Sequence, residues 1–564
     1  MLCHEIFIVV KQKSCYNSGN VWMLGGREKY LYEVRYDMNI RNAVSWLMGI
    51  MLAISLCMVG TTARAAQPPT LIFIPIDNRP ITDLYSAQTM EQVGYKVLVP
   101  PDEILGGNTN DGDVDALWNW LDKAAEEDNI KAAVISSDSL LYGSLVASRR
   151  HNISVDVLHE RINRFKNFHQ QHPELKLYVF SSIMRTPVQG SPGGKEPEYY
   201  VKWGASIFDY SALTDKAETG KLSKKEQKQL DYDKWIIPQE VMEDWLGRRK
   251  KNFEANKALI DMARDGTFRY FALGRDDNSP LSQTHMEGRK LKEYGKDLDF
   301  TKYQNMNGID EIGLLLLTKA YNDYAFEMPF VYVEYNTGIG KDMVPAYADE
   351  NISLTIEDYI RSIGGLSVPT AKRADFVLMM NTPEKGNGGI YGGDKRNVME
   401  ETPRSRKFVD RVTSWLDSGK NTGIADVTYY NGSDNSLCIV LRNRKLLYRL
   451  GAYAGWNTAT NSLGYAISQG TLAPKMTTAG KNFLLTIRYL DEWAYEANIR
   501  QMLGPYASTF GPDAFKTNLG EIELRGSDLQ QRFARDHLSE YPDAINYRMI
   551  LPWQRLFENK IITN

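Results

Sequence analysis

Tyr270-Phe271-Ala272-Leu273-Gly274-Arg275-Asp276-Asp277-Asn278 is the stretch around which the chain is organised. An apolar run of strand character stops at a glycine, and an arginine and two adjacent carboxylates follow at once. Pro280 comes next, and a helix is expected to begin near Thr284, with His285 and Glu287 close behind. In a parallel α/β sheet or barrel, the carboxyl ends of the strands are where a site is built. Adjacent carboxylates there can divide the work, one orienting or polarising while the other gives and takes a proton. The competing reading has Asp276 and Asp277 capping the helix in solvent.

The same pattern recurs on both sides. Leu71-Ile72-Phe73-Ile74-Pro75-Ile76 runs into Asp77-Asn78-Arg79-Pro80, and Ala132 to Ser136 leads to Asp138 and Tyr142. Leu175 to Ser181 precedes Arg185, and helical spacing marks Asp113–Glu127 and Val155–Phe168 between these strands. Later strands are expected at Pro329–Glu334, Asp375–Met380 and Gly423–Val427, and the run Lys445–Tyr453 leads to Trp456 and Asn457. Strand, polar end, helix, strand is the rhythm of an α/β protein. About eight such strands predict a (β/α)₈ TIM-barrel-like core with insertions and a C-terminal helical region. An open doubly wound parallel sheet is the alternative. The domain is expected over 66–473, interrupted by an insertion at 190–240 that walls or lids the cleft, with a helical domain over 474–564.

Ahead of this lies a different kind of segment. Arg41, the apolar run Ala43–Gly60 and Ala63-Arg64-Ala65 form a secretory signal pattern over 38–65, cleaved after Ala65. Met38 is the expected start, and residues 1–37 an upstream extension foreign to the native chain. An uncleaved anchor is the alternative, and it is the one route to a membrane. Of the four cysteines, Cys3, Cys15 and Cys57 precede the cleavage point. The exported domain keeps only Cys438, in an apolar run, and must be held by its core instead of disulfides.

Across 564 residues, 43% are hydrophobic and 24% charged, enough for a substantial core. Net charge is −3 with no basic tract, which argues against nucleic acid as a partner. The 32 Tyr and 11 Trp suit a cleft that stacks on sugars. Asp276 and Asp277 are the candidate catalytic pair. Asp77, Arg79, Asp138, Tyr142, Arg149, Arg185, His285, Asp426, Trp456, Asn457 and Asn461 are candidate ligands for a carbohydrate or other polyhydroxylated molecule. Carboxylates and amides bind hydroxyls in pairs, and an indole covers the apolar face of a ring. With only 7 His and no ligand-spaced pair, no metal is expected, although Asp77, Asp277, His285 and Glu287 offer a metal-dependent alternative. Gly386-Asn387-Gly388-Gly389 lacks the Lys-Ser/Thr of a phosphate loop, so no cofactor is expected.

Asp77-Asn78-Arg79-Pro80, Tyr142-Gly143-Ser144-Leu145-Val146-Ala147-Ser148-Arg149, Gly274-Arg275-Asp276-Asp277 and Ala454-Gly455-Trp456-Asn457-Thr458 resemble the bacterial family of domain of unknown function 4127. The resemblance runs from about residue 70 to the end and implies no activity. In position and type, Asp276 and Asp277 are also similar to the tandem aspartates of barrel glycosidases of family 84. That resemblance implies a substrate 2-acetamido carbonyl as nucleophile, oriented by one aspartate while the next serves as acid and base. Trp456, Asn457 and Asn461 are similar to a sugar-hydroxyl clamp. The expectation is an exported glycoside hydrolase, with an envelope glycan-binding protein as the rival. Amino-terminal sequencing of the exported protein should find Ala66 first. Recovery solely as a full-length membrane-bound chain would exclude cleavage.

Overall fold

Side chains alternate across each strand, and this alternation builds a layer on either face of the first sheet. Leu71, Phe73, Val134, Tyr178, Phe180 and Ala272 join one core, while Ile72, Ile74, Ala133, Ile135, Val179 and Leu273 join another. Such unbroken apolar runs are what parallel strands covered on both faces require. The computed structural model describes residues 68–188 and 195–563, and these form one compact unit.

The first sheet contains β1 (Thr70–Ile74), β2 (Lys96–Leu98), β3 (Ile130–Ser136), β4 (Lys176–Ile183), β5 (Tyr270–Arg275) and β6 (Tyr303–Asn307). All are parallel, in the order β2-β1-β3-β4-β5-β6. The second contains β7 (Phe330–Tyr335), β8 (Leu366–Ser367), β9 (Phe376–Asn381), β10 (Thr422–Asp426) and β11 (Ala452–Ala454). Its parallel order is β8-β7-β9-β10-β11. Apart from the edge strand β6, the two sheets share one strand order. Each reverses direction of growth between its first and third strands, where open α/β sheets form a ligand crevice. The α/β class stands. Closure into a single eight-stranded ring is not seen: among the described residues the parallel strands form two open sheets, where the alternative expects one.

The helix Ile312–Ala325 explains this division. Ile312, Leu314, Leu315, Leu316 and Leu317 are all buried, so the helix is apolar around its circumference and needs cover on two sides. It packs on β3 and β4 and also on the helix Ala459–Leu472, which lies against β9, β10 and β11. Gly313 permits the approach, since a Cβ there would sit 3.0 Å from the Phe73 ring. With this helix between them, the later strands begin a second sheet instead of extending the first.

The segment expected as an insertion carries the helices Tyr200–Thr219 and Lys224–Ile236 and runs on into Gln239–Asp265. Ile207, Ile237, Val241 and Trp245 give it a small core of its own. Beyond residue 474 the chain is helical to His537, with a π-helical stretch at Tyr489–Ile499, and ends in an antiparallel hairpin of β12 (Tyr547–Ile550) and β13 (Lys560–Thr563). Cys438 is buried on the helix Asn435–Asn443, with Sγ 3.3 Å from Tyr453 Oη. The signal pattern at 38–65 and residues 1–37 lie outside the described residues. Within those described, no helix is long and apolar enough to cross a membrane.

Glu311 sits where the two sheets join and is fully buried. Asn461 Nδ2 donates to its Oε2 at 2.5 Å, and Tyr359 Oη donates to Oε1. Tyr359 Oη also reaches the Asn307 carbonyl at 2.7 Å. Gly464 leaves room: a Cβ there would be 2.5 Å from Glu311 Cβ. Burial pushes the Glu311 pKa up to about 7, against the pull of these hydrogen bonds. The folded protein therefore keeps a proton that the unfolded chain has already released. The stability from this group is complete below the unfolded value near 4.5 and is lost as pH rises through about 7. Thermal melts of the wild type should fall across that window. Glu311→Gln should show a shallower fall whatever its absolute melting temperature. Asp426, Glu492 and Glu496, also pushed up to about 7 by burial, should keep part of the slope.

Candidate active site

The carboxyl ends of both sheets contribute to a single cleft of about 670 Å³. Asp77 and Arg79 follow β1, Arg149 lies beyond β3, Arg185 follows β4, Asp276 and Asp277 follow β5, and Asp310 follows β6. The second sheet adds Tyr347 beyond β7, Tyr430 and Asn431 beyond β10, and Asn457 after β11. The connection between β12 and β13 adds Trp553 and Phe557, while Lys195 and Phe208 come from the segment before and within the inserted helices.

The chain turns at the end of β5, but not at its glycine. A Cβ on Gly274 would lie 2.3 Å from the Gly308 carbonyl, so glycine is there to let β6 approach. The turn falls on Asp277, at φ 27°. Eight described non-glycine residues have positive φ, and four of them line this one cleft: Asp277, Tyr347 (67°), Asn431 (50°) and Asn457 (55°). Asparagine tolerates that conformation, whereas a bulky tyrosine does so at a cost. Strained backbone gathers where a site needs fixed geometry.

Charge in the cleft is arranged in pairs. Arg79 Nε donates to both oxygens of Asp77 at 3.0 and 2.9 Å, and its Nη atoms donate to Asp310 at 3.1 and 2.6 Å. Arg149 donates from Nε and Nη2 to Asp276 Oδ2, at 3.1 and 2.6 Å. Arg185 Nη1 donates to Asp277 Oδ2 at 2.7 Å and its Nε to Glu196 at 2.6 Å. Oδ1 of Asp276 accepts no hydrogen bond among the described residues.

The two aspartates titrate in opposite directions. Burial lifts the Asp276 pKa above its ordinary value; Arg149 pulls it down, Asp277 pushes it up, and the net is upward. Burial acts likewise on Asp277, but Arg185, Arg149 and Lys195 outweigh it and hold that carboxyl low. Asp277 keeps 30% of its side chain exposed against 5% for Asp276, which also favours its charged form.

Of the residues expected from sequence, Asp77, Arg79, Arg149, Arg185, Asp276, Asp277 and Asn457 meet in the cleft. The other six do not line it. Asp138 is buried and accepts from the Ser182 amide and hydroxyl at 2.8 and 2.7 Å. Tyr142 stacks on His151 at 4.7 Å, and His285 Nδ1 is held 2.5 Å from Asp215. Asp426 accepts from Asn381, the Asp434 amide and Tyr453 beneath the second sheet's edge. Trp456 is buried 6.2 Å from the Phe557 ring, and Asn461 caps its own helix while holding Glu311. Sequence reading did not select Asp310, Lys195, Tyr347, Tyr430, Asn431, Trp553 or Phe557. Asp310 had a signal, since it follows Gly308 at the end of a strand, but β6 is too polar to be recognised as one. Among the described residues no three His, Cys, Asp or Glu side chains are grouped as metal ligands.

The strain at Tyr347 is testable by comparing two truncations that lose the same ring. At positive φ a Cβ costs about 1–2 kcal/mol, more than the extra chain entropy of glycine, roughly 0.5–1 kcal/mol. Tyr347→Gly should therefore be more stable than Tyr347→Ala to denaturant, the reverse of the usual order.

The family described as protein of unknown function (DUF4127) matches residues 71–562, a span that includes both sheets, the cleft-lining residues and most of the terminal hairpin. No curated protein matches the chain. Motifs at four strand ends and a match along nearly the whole described fold agree, and the chain belongs to the DUF4127 family.

Proposed function

We propose that this protein is an exported glycoside hydrolase. The observation that carries the proposal is the neighbouring pair Asp276 and Asp277, in one cleft with opposite pKa shifts. Carboxylates driven apart in this way suit separate acid and charge-stabilising roles. Tyr347 and Tyr430 give the cleft aromatic faces beside ion-paired, hydrogen-bonding walls, a combination suited to a sugar ring. Export rests on the amino-terminal signal pattern, and the protein would act on glycans outside the cytoplasm.

In this reading Asp276 is the acid and base, acting through Oδ1, which accepts no hydrogen bond among the described residues. It donates a proton to the glycosidic oxygen as the bond from the anomeric carbon breaks and its electron pair goes to that oxygen. Asp277, kept ionised by Arg185, accepts the N–H of a 2-acetamido group and orients its carbonyl oxygen to attack the anomeric carbon. Water then opens the resulting ring, and Asp276 recovers a proton from it. Asp77, Arg79 and Asp310 brace one wall, and Arg149 fixes Asp276.

One feature favours glycan binding without turnover: both aspartates are already engaged by arginines, which restrains proton transfer. The metal-dependent reading loses support, because its His285 is bound to Asp215 and does not line the cleft.

The purified protein should release nitrophenol from at least one nitrophenyl glycoside, with or without EDTA. Asp276→Asn and Asp277→Asn should each lower the rate by about 10²- to 10⁴-fold while ligand still binds. Full activity in both variants would refute the assignment. Binding without turnover in the wild type would favour the non-catalytic protein.

A further inference from the structure

Two rings of the β12–β13 connection collect cations. Lys195, Arg500 and Arg555 lie 5.4, 5.1 and 5.5 Å from the centre of Phe557, while Arg79 and Arg555 lie 5.5 and 4.8 Å from Trp553. Three of these four cations have carboxylate partners: Arg79 has Asp77 and Asp310, Arg500 has Glu496, and Arg555 has Glu558. Lys195 has no carboxylate within 4.0 Å among the described residues. It nevertheless lines the cleft, together with Arg149 and Arg185.

We infer that the cleft takes a sugar bearing an anionic group, a carboxylate or a phosphate, seated against Lys195. This rests on the reading of the cleft as a sugar site and adds the class of sugar. With a neutral ring Lys195 would have only the longer-range attraction of Asp277 and Glu558 against the repulsion of Arg149, Arg185 and Arg555. An anion supplies the missing counter-charge, and a charge-assisted hydrogen bond in a partly dry cleft is stronger than a neutral one. The existing pairs explain why Lys195 is the contact point: Arg149 and Arg185 are already committed to Asp276, Asp277 and Glu196.

The titration of Lys195 makes the inference measurable. Burial, then Arg555 and Arg185, lower its pKa to about 7, with Glu558 opposing them. At pH 8 the free cleft therefore holds a largely neutral lysine. A bound anion raises that pKa again, so the complex takes up about one proton at pH 8; at pH 5.5 a carboxylate sugar takes up almost none, while a phosphate, with its second pKa at about 6, releases protons as it binds. Affinity for the anionic sugar should fall by up to tenfold per pH unit above 7.

Calorimetry in buffers of different ionisation enthalpy would measure the binding of glucuronate, glucose 6-phosphate and glucose to the full chain. At least one of the two anionic sugars should bind ten or more times more tightly than glucose, with proton uptake at pH 8. Glucuronate alone or glucose 6-phosphate alone would identify the group. Lys195→Met should abolish both the preference and the proton uptake. Lys195→Arg should restore the preference without proton uptake, which guards against a misfolded Met variant. Equal binding of all three sugars, or a preference that survives Lys195→Met, would overturn the inference. Because turnover is not read, the outcomes separate from those above. Anion preference without hydrolysis would sink the hydrolase alone. Hydrolysis of neutral glycosides without anion preference would sink this inference alone.

Discussion

A buried carboxylate, Glu311, holds the two sheets in register. It is reached by Asn461 from the helix on the second sheet and by Tyr359, whose hydroxyl also binds the end of β6. Tyr465 Oη, one turn beyond Asn461, lies 2.9 and 3.1 Å from the carbonyls of Ile81 and Asp310. The residue before Glu311 points its charge elsewhere: Asp310 grips Arg79 in the cleft. Two consecutive acids thus serve the joint and the site. Any shift of one sheet against the other would move Asp310 with respect to Asn457, across the space a ligand would occupy. A buried carboxyl pushed up to about 7 is a costly fastener at neutral pH, and its place at this joint fits a requirement for fixed geometry over maximal stability.

Much of the fold could be read from residues because parallel strands covered on both faces advertise themselves. β1, β3, β4, β5, β9 and β10 are apolar runs with a polar residue at or just past the end. β6 escaped because Tyr303-Gln304-Asn305-Met306-Asn307 hides polar side chains by pairing them: Tyr270 donates to Gln304, Arg275 to Asn305, and Asn307 to Glu350. β8 has two residues and no pattern to detect. A barrel and an open sheet repeat strand and helix alike, and neither reading divides the strands between two sheets. The available sign was the run Ile312–Leu317, too apolar for a helix with a wet face.

For the site, the rule that strand ends carry function located Asp77, Arg79, Arg149, Arg185, Asp276, Asp277 and Asn457. It failed at Asp138, Asp426 and Asn461 because strand ends and helix starts also need polar residues to satisfy backbone and one another, and residue type alone does not separate the two uses. Tyr347, Tyr430, Trp553 and Phe557 lie in irregular segments, where no periodicity announces which way a ring points. Their place in the cleft follows from tertiary structure.

The shared strand order has a consequence for how the chain reaches this state. Each sheet is completed within its own stretch, 70–307 and 330–454, and no strand of one is threaded into the other. Pairing within each stretch joins segments that are close along the chain, so loop-closure entropy is met twice over short spans and not once over a long one. A chain that completed each sheet first would then bring the two together across Ile312–Ala325, the helix packed between β3 and β4 on one side and the helix Ala459–Leu472 on the other. In such a chain the row Leu314–Leu317, buried on all sides in the folded protein, would be covered on one side only until the sheets met, leaving apolar surface open to aggregation.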